Sequence, residues 1–96
     1  MGAYRLSAAA DADMAHIIEF GILRFGINQV RIFIAELEEH LAALAANSGI
    51  GRDASELSSG LKRFSFGSHV IFYLNDDRGI LIVRVLHHSR DFAKHL

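Results

Sequence analysis

Six histidines, one arginine inside an apolar run and no cysteine set the limits of the chemistry this chain can carry. His87 and His88 close the run Ile80-Leu81-Ile82-Val83-Arg84-Val85-Leu86, which reads as a strand. Neighbouring side chains on an extended segment point to opposite faces, so the two imidazoles are expected to diverge rather than chelate one metal. Proton transfer by His87 would need a second group on an adjacent strand, and Ser68-His69-Val70-Ile71-Phe72-Tyr73 offers only His69 and Tyr73. His16 and His40 fall off the apolar stripes of their helices and read as solvated; His69 reads as a turn residue and His95 as part of a tail. The sequence has no Ser/His/Asp arrangement, phosphate loop or spaced carboxylate pair, and without cysteine it has no thiolate, disulfide or cysteine-zinc chemistry. No catalytic residue, metal or cofactor is assigned.

Arg84 is expected to share a strand face with Ile80, Ile82 and Leu86, and there it must reach solvent, a carboxylate or a ligand anion. A structural ion pair and a recognition role both remain open. The formal charge of −1 gives no global case for nucleic-acid binding. The distribution is uneven: residues 1–48 hold three Lys/Arg against six Asp/Glu, while residues 49–96 hold seven against five, with four of the histidines. A recognition surface would therefore draw on Arg52, Lys62, Arg63 and Arg90 beside Arg84.

The elements that must position these groups follow from periodicity. Tyr4-Arg5-Leu6 alternates as a brief strand, and Ser7 can cap a helix over about residues 8–25 with the stripe Met14, Ile17, Ile18, Gly21 and Phe25. Gly26 stops it. Asn28 can cap a second helix with the stripe Val30, Phe33, Ile34, Leu37, Leu41 and Leu44, so the two form an antiparallel hairpin. Gly49 and Gly51 end that helix, and residues 52–60 read as an irregular connector. From Leu61 three short runs rich in Val, Ile, Phe and Tyr, separated by turn residues, imply an antiparallel meander. The fold class is α+β: a short N-terminal strand, a two-helix hairpin on an antiparallel sheet, and a polar C-terminal tail, as one domain over residues 1–96. With 51% hydrophobic residues the chain has material for a small core. It has neither a signal-like start nor an apolar run near the roughly 20 residues of a membrane span, and reads as a soluble, untargeted protein.

Phe20, Leu23 and Ile32 fall away from the helical core stripes and are expected to be partly exposed. Isolated exposed apolar residues are ordinary. Three on one hairpin, bordered by Arg24 and Arg31, would also suit a partner helix or a second copy of the chain.

Segments spanning nearly the whole chain resemble the ParE toxins of type II toxin–antitoxin systems, in the RelE/ParE superfamily. The residues that carry the likeness are Gly51-Arg52, Glu56-Leu57, Gly60-Leu61-Lys62-Arg63-Phe64, His69-Val70-Ile71-Phe72-Tyr73 and Ile82-Val83-Arg84-Val85-Leu86-His87, in family order and spacing. The resemblance implies a cytoplasmic toxin that poisons DNA gyrase by binding, and a ParD-type antitoxin with a ribbon-helix-helix portion and a C-terminal segment that wraps the toxin in a hetero-oligomer. Neither catalysis nor specific DNA binding by this chain is implied. On that reading Phe20, Leu23, Arg24, Arg31, Ile32 and Arg84 meet the antitoxin, and Arg52, Lys62, Arg63, Arg84, His87, Arg90 and Phe92 meet the target. RelE-like relatives share the fold but cleave mRNA on the ribosome, which is the alternative, beside a degenerate toxin that retains only antitoxin binding. Against the nuclease branch, Val70 stands where a basic residue is usual and Leu86 where some members place histidine; a one-residue slip would bring in His69 or His87. Ala8 and Ser48 replace two prolines common in the family.

Overall fold

Ser7 decides where the first helix begins. Its hydroxyl oxygen accepts from the Ala10 N–H at 3.0 Å and donates to the Val83 carbonyl at 2.7 Å, which caps the helix and ties its start to a strand. The computed structural model describes residues 3–96; Met1 and Gly2 of the expected domain lie outside the described residues. Strand β1 (Ala3–Leu6) leads into α1 (Ala8–Phe25), and α2 (Ile27–Ala46) follows after one residue. That residue, Gly26, has φ +87°, a conformation that side chains rarely adopt, and it ends α1 and opens α2 without any side-chain cap. Because the chain reverses in a single step, α2 starts before Asn28, and the expected asparagine cap is not used.

A single 3₁₀ turn (Ser48–Ile50) precedes β2 (Arg52–Asp53), and then come β3 (Lys62–Phe66), β4 (His69–Asp76), β5 (Gly79–His87) and a terminal helical turn, α3 (Phe92–His95). The sheet order is β1-β5-β4-β3-β2. The meander β3-β4-β5 is antiparallel as its sequence implies, but the sheet is mixed, because β1 pairs with β5 in parallel from Ala3↔Gly79 to Leu6↔Ile82. Two antiparallel helices after β1 return the chain to the end of the sheet it left, and the strands that follow then bring β5 alongside β1 in the same direction. The connector expected over 52–60 also begins with a strand, since Arg52 and Asp53 pair with Arg63 and Lys62.

The two sheet faces bury separate clusters. Toward the hairpin lie Leu37, Leu41, Leu44, Ile71, Tyr73, Ile80, Ile82 and Val85, with Tyr4 and Leu6 packed against them. On the other face Ala54, Leu61, Val70, Phe72 and Leu86 are buried beneath Leu57, Phe92 and Leu96. The tail is therefore not merely polar: the Phe92 ring stands edge-on to Phe72 at 5.0 Å. Among the described residues, no helix is long and apolar enough to cross a membrane.

Tyr73 fastens the end of the hairpin to the sheet. Its hydroxyl donates to the Ser48 carbonyl at 2.7 Å and accepts from the Gly51 N–H at 3.0 Å. Burial pushes its pKa upward, the Gly51 hydrogen bond opposing. Gly51 is required there, because a Cβ on it would meet the Tyr73 oxygen at 2.1 Å.

Candidate functional site

Arg84 is not on the face its sequence spacing suggests. Between Phe72↔Arg84 and Tyr73↔Ile82 the register shifts by one, leaving Val83 as the extra residue of a bulge. Beyond it the alternation is offset, so Arg84 parts from Ile80 and Ile82. Its guanidinium makes a bidentate pair with Asp13 of α1, Nε and Nη2 donating at 2.8 and 2.7 Å, and Nη1 donates to the His95 carbonyl at 2.7 Å. Asp13 also accepts from the Val85 N–H at 2.9 Å. The hydrogen bonds to Asp13 hold the Arg84 pKa above its ordinary value, burial opposing. One arginine thus joins α1, β5 and the C-terminal turn, with all three guanidinium nitrogens engaged.

Beside this junction the hairpin outruns the sheet. Phe33 packs on Phe66 at 5.3 Å and on His69 at 6.0 Å, at the end of β3 and the start of β4. Ile27 lies six residues earlier in α2, about 9 Å further along a helix that rises 1.5 Å per residue. The apolar stripe continues there without strands to cover it, and Phe25, expected in the core, is 65% exposed. The result is a cleft of about 1070 Å³. Ile17, Phe20, Phe25, Val30 and Phe33 form its apolar wall, and His69, Arg84, His87, Arg90 and His95 lie on the side of the sheet and tail.

The histidines gather instead of diverging. His69 is the first residue of β4, not a turn residue, and sits directly across from His87, with ring centroids 5.6 Å apart. The His88 ring stacks on His87 at 4.4 Å, because β5 ends at His87 and the strand alternation ends with it. His87 Nδ1 lies 2.7 Å from the Ser89 hydroxyl. Burial lowers the His69 pKa below 6.5, and the neighbouring His87 and His88 lower it further.

The residues expected to meet an antitoxin are only partly assembled. Phe20 lines the cleft with the Arg24 guanidinium 5.8 Å above its ring, and Arg84 reaches the cleft from the other side. Leu23 and Ile32 are 83% and 52% exposed, as their angular placement requires, but neither they nor Arg24 and Arg31 line the cleft. The target set divides too. Arg52, Arg63 and Phe92 line a hollow of about 460 Å³ on the face away from the helices, with Glu56 3.6 Å from Arg63. Lys62, one residue along β3, turns to the other face. His87 and Arg90 line the cleft.

Along its length the chain matches known toxins. The family model described as ParE toxin of the type II toxin-antitoxin system, parDE, matches residues 4–92. The chain belongs to the ParE toxin family. It is 36% identical to Toxin ParE1 of Caulobacter vibrioides over 96 residues, covering 100% of this chain and 99% of that one. Toxin ParE1 of Mycobacterium tuberculosis is 36% identical over 94 residues, and Toxin ParE of Escherichia coli is 38% identical over 97, covering 97% and 100% of this chain and 96% and 94% of theirs. A solved structure from the chromosomal ParDE system of Pseudomonas aeruginosa shares the fold, with a TM-score of 0.76 over 91% of this chain and 96% of that chain at 15% identity.

In this ParE-family chain Val70 and Leu86 are cross-strand partners buried on the face away from the helices. His69 and His87 are partners one position along and point to the opposite face, where His69 meets Phe33 of α2. A slip of one residue changes the face as well as the position.

Two members of the site were not picked out from the sequence, and a third feature, the direct pairing of His69 with its candidate partner His87, was not fixed by it. Asp13 was legible, since it sits with Ala10, Met14 and Ile17 at the spacing of the α1 core face, where an acid needs a cation. Phe25 carried no separate signal, because a stripe residue looks alike whether strands or solvent lie beneath it. The pairing of His69 with His87 depends on a register that single strands do not reveal.

Proposed function

We propose that this chain is the toxin of a type II toxin–antitoxin module, that it inhibits DNA gyrase in the cytoplasm by binding, and that a ParD-type antitoxin neutralises it as a hetero-oligomer. The observation that carries the antitoxin half is the uncovered apolar surface, where Phe20 and Phe25 stand largely exposed at a cleft of about 1070 Å³, which suits an amphipathic segment. Arg52, Arg63 and Phe92, with Arg90 and His87 around the sheet end, would supply the gyrase-facing surface. An antitoxin in the cleft would lie beside His87 and Arg90 and occlude part of it.

Binding is favoured over cleavage because the positions that would make a nuclease are the buried apolar pair Val70 and Leu86. The runner-up, a ribosome-dependent nuclease, draws on the apposed His69 and His87. The test is supercoiling by purified gyrase with the chain alone and with the chain pre-bound to its antitoxin. Inhibition that the antitoxin relieves is expected; full supercoiling with the chain alone would refute the reading.

A further inference from the structure

The cleft's two sides differ in chemistry. From α2 the lining residues Gln29, Val30 and Phe33 bring no charge. Asp13 is the one carboxylate among the described lining residues, and it is already committed to Arg84 and the Val85 N–H. What remains is imidazole and guanidinium: His16 from α1, His69 from β4, His87 and Arg90 around the end of β5, and His95 from α3. His88 stacks on His87 from behind, and Arg90 Nη1 stands 3.4 Å from His95 Nε2. His69 Nδ1 is shielded from solvent and has no hydrogen-bond partner. An apolar wall facing a rim of imidazoles and one guanidinium complements one kind of segment: apolar along one side and acidic along the other.

We propose that the segment filling this cleft turns carboxylates toward the histidine rim, so that antitoxin capture takes up protons and tightens as the pH falls. The proposal rests on the antitoxin reading above and adds to it the partner's charge and a response to pH.

The physics is linkage. Imidazoles titrate between pH 5 and 8, and a carboxylate within a few ångströms favours the protonated ring. A ring more readily protonated in the complex than in the free chain makes binding stronger as the pH falls toward its free-state pKa. In the free chain burial and the neighbouring imidazoles hold His69 toward its neutral form, and an incoming carboxylate acts in the opposite sense. Each ring whose pKa rises by about one unit contributes about tenfold in affinity across that window.

The test is titration of the intact chain with full-length antitoxin near pH 8, 7 and 6, in buffers of different ionisation enthalpy, which counts protons without any substitution. Net proton uptake and a Kd that falls by about tenfold for each coupled ring are expected. His69→Gln and His87→Gln, checked for folding by circular dichroism, should flatten the profile while binding at pH 8 persists. Arg90→Ala should weaken binding at every pH. Binding without proton uptake would overturn the proposal, as would an uptake that survives glutamine at His16, His69, His87 and His95 together, because the protons would then belong to the antitoxin. Absence of binding at every pH would instead strike the antitoxin reading beneath it.

Discussion

Asp13 and Arg84 lie 71 positions apart and meet in a bidentate ion pair at the junction of α1, β5 and the C-terminal turn. Their side chains are only 13% and 20% exposed, so the pair works in a partly desolvated setting. Asp13→Ala strands the Arg84 charge and frees the Val85 N–H; a loss of about 2–4 kcal/mol in denaturant unfolding is expected. The double substitution with Arg84→Ala should cost less than the sum of the singles, by about 1–3 kcal/mol of coupling. Strict additivity would show that the pair is not coupled.

Tyr73 gives a second, independent stability test. Tyr73→Phe removes two of the bonds that hold the Ser48–Gly51 turn and should lower stability by about 1–3 kcal/mol. Gly51→Ala should be worse, since the new methyl cannot share space with the tyrosine oxygen. Equal melting temperatures for Gly51→Ala and the unaltered chain would contradict this account of the turn.

His69 sets a pH dependence whose sign follows from its environment. Its folded pKa lies below 6.5 because burial and two neighbouring imidazoles disfavour the charged ring. Between the unfolded and folded values the unfolded chain binds more protons, so stability is complete above about pH 6.5 and declines as pH falls through that window. His69→Gln should flatten the decline in urea midpoints measured from about pH 7.5 to about pH 5. A decline unchanged by that substitution would place its origin elsewhere.

Much of this fold was legible from periodicity: α1 over residues 8–25, the hairpin, and the antiparallel meander all stand where apolar spacing puts them. What escaped depends on contacts between distant segments. The bulge at Val83 turns Arg84 off its expected face, and nothing local in Ile82-Val83-Arg84 marks it. The parallel β1–β5 pairing is a property of chain path, not of Ala3–Leu6. For the site, Phe20 was found because it departs from the α1 stripe, whereas Phe25 was hidden because it obeys it. Whether a stripe is covered is decided by how far the sheet extends, which the helix's own sequence does not encode.

The hairpin supplies a contrast between two apolar surfaces. Phe20→Ser with Phe25→Ser should weaken antitoxin binding by about 100-fold or more, as loss of two aromatic anchors does. Unfolding stability should change by less than about 1 kcal/mol, since both side chains are largely exposed. Leu23→Asp with Ile32→Asp probes the outward surface that the sequence alone suggested. If the antitoxin lies in the cleft, the phenylalanine pair gives the larger loss; a reversed order would move the contact to the outer side of the hairpin.

Whether this chain acts on gyrase or on translating ribosomes is decided by one experiment with both targets. Purified chain is added to gyrase in a supercoiling and cleavage-complex assay, and in parallel to translating ribosomes carrying a defined mRNA. Loss of supercoiling with the mRNA left intact is expected, and Arg63→Ala and Arg90→Ala should each lessen that loss. Codon-positioned mRNA cleavage with gyrase untouched, abolished by His69→Gln or His87→Gln, would contradict the gyrase reading and make the apposed histidines a catalytic pair.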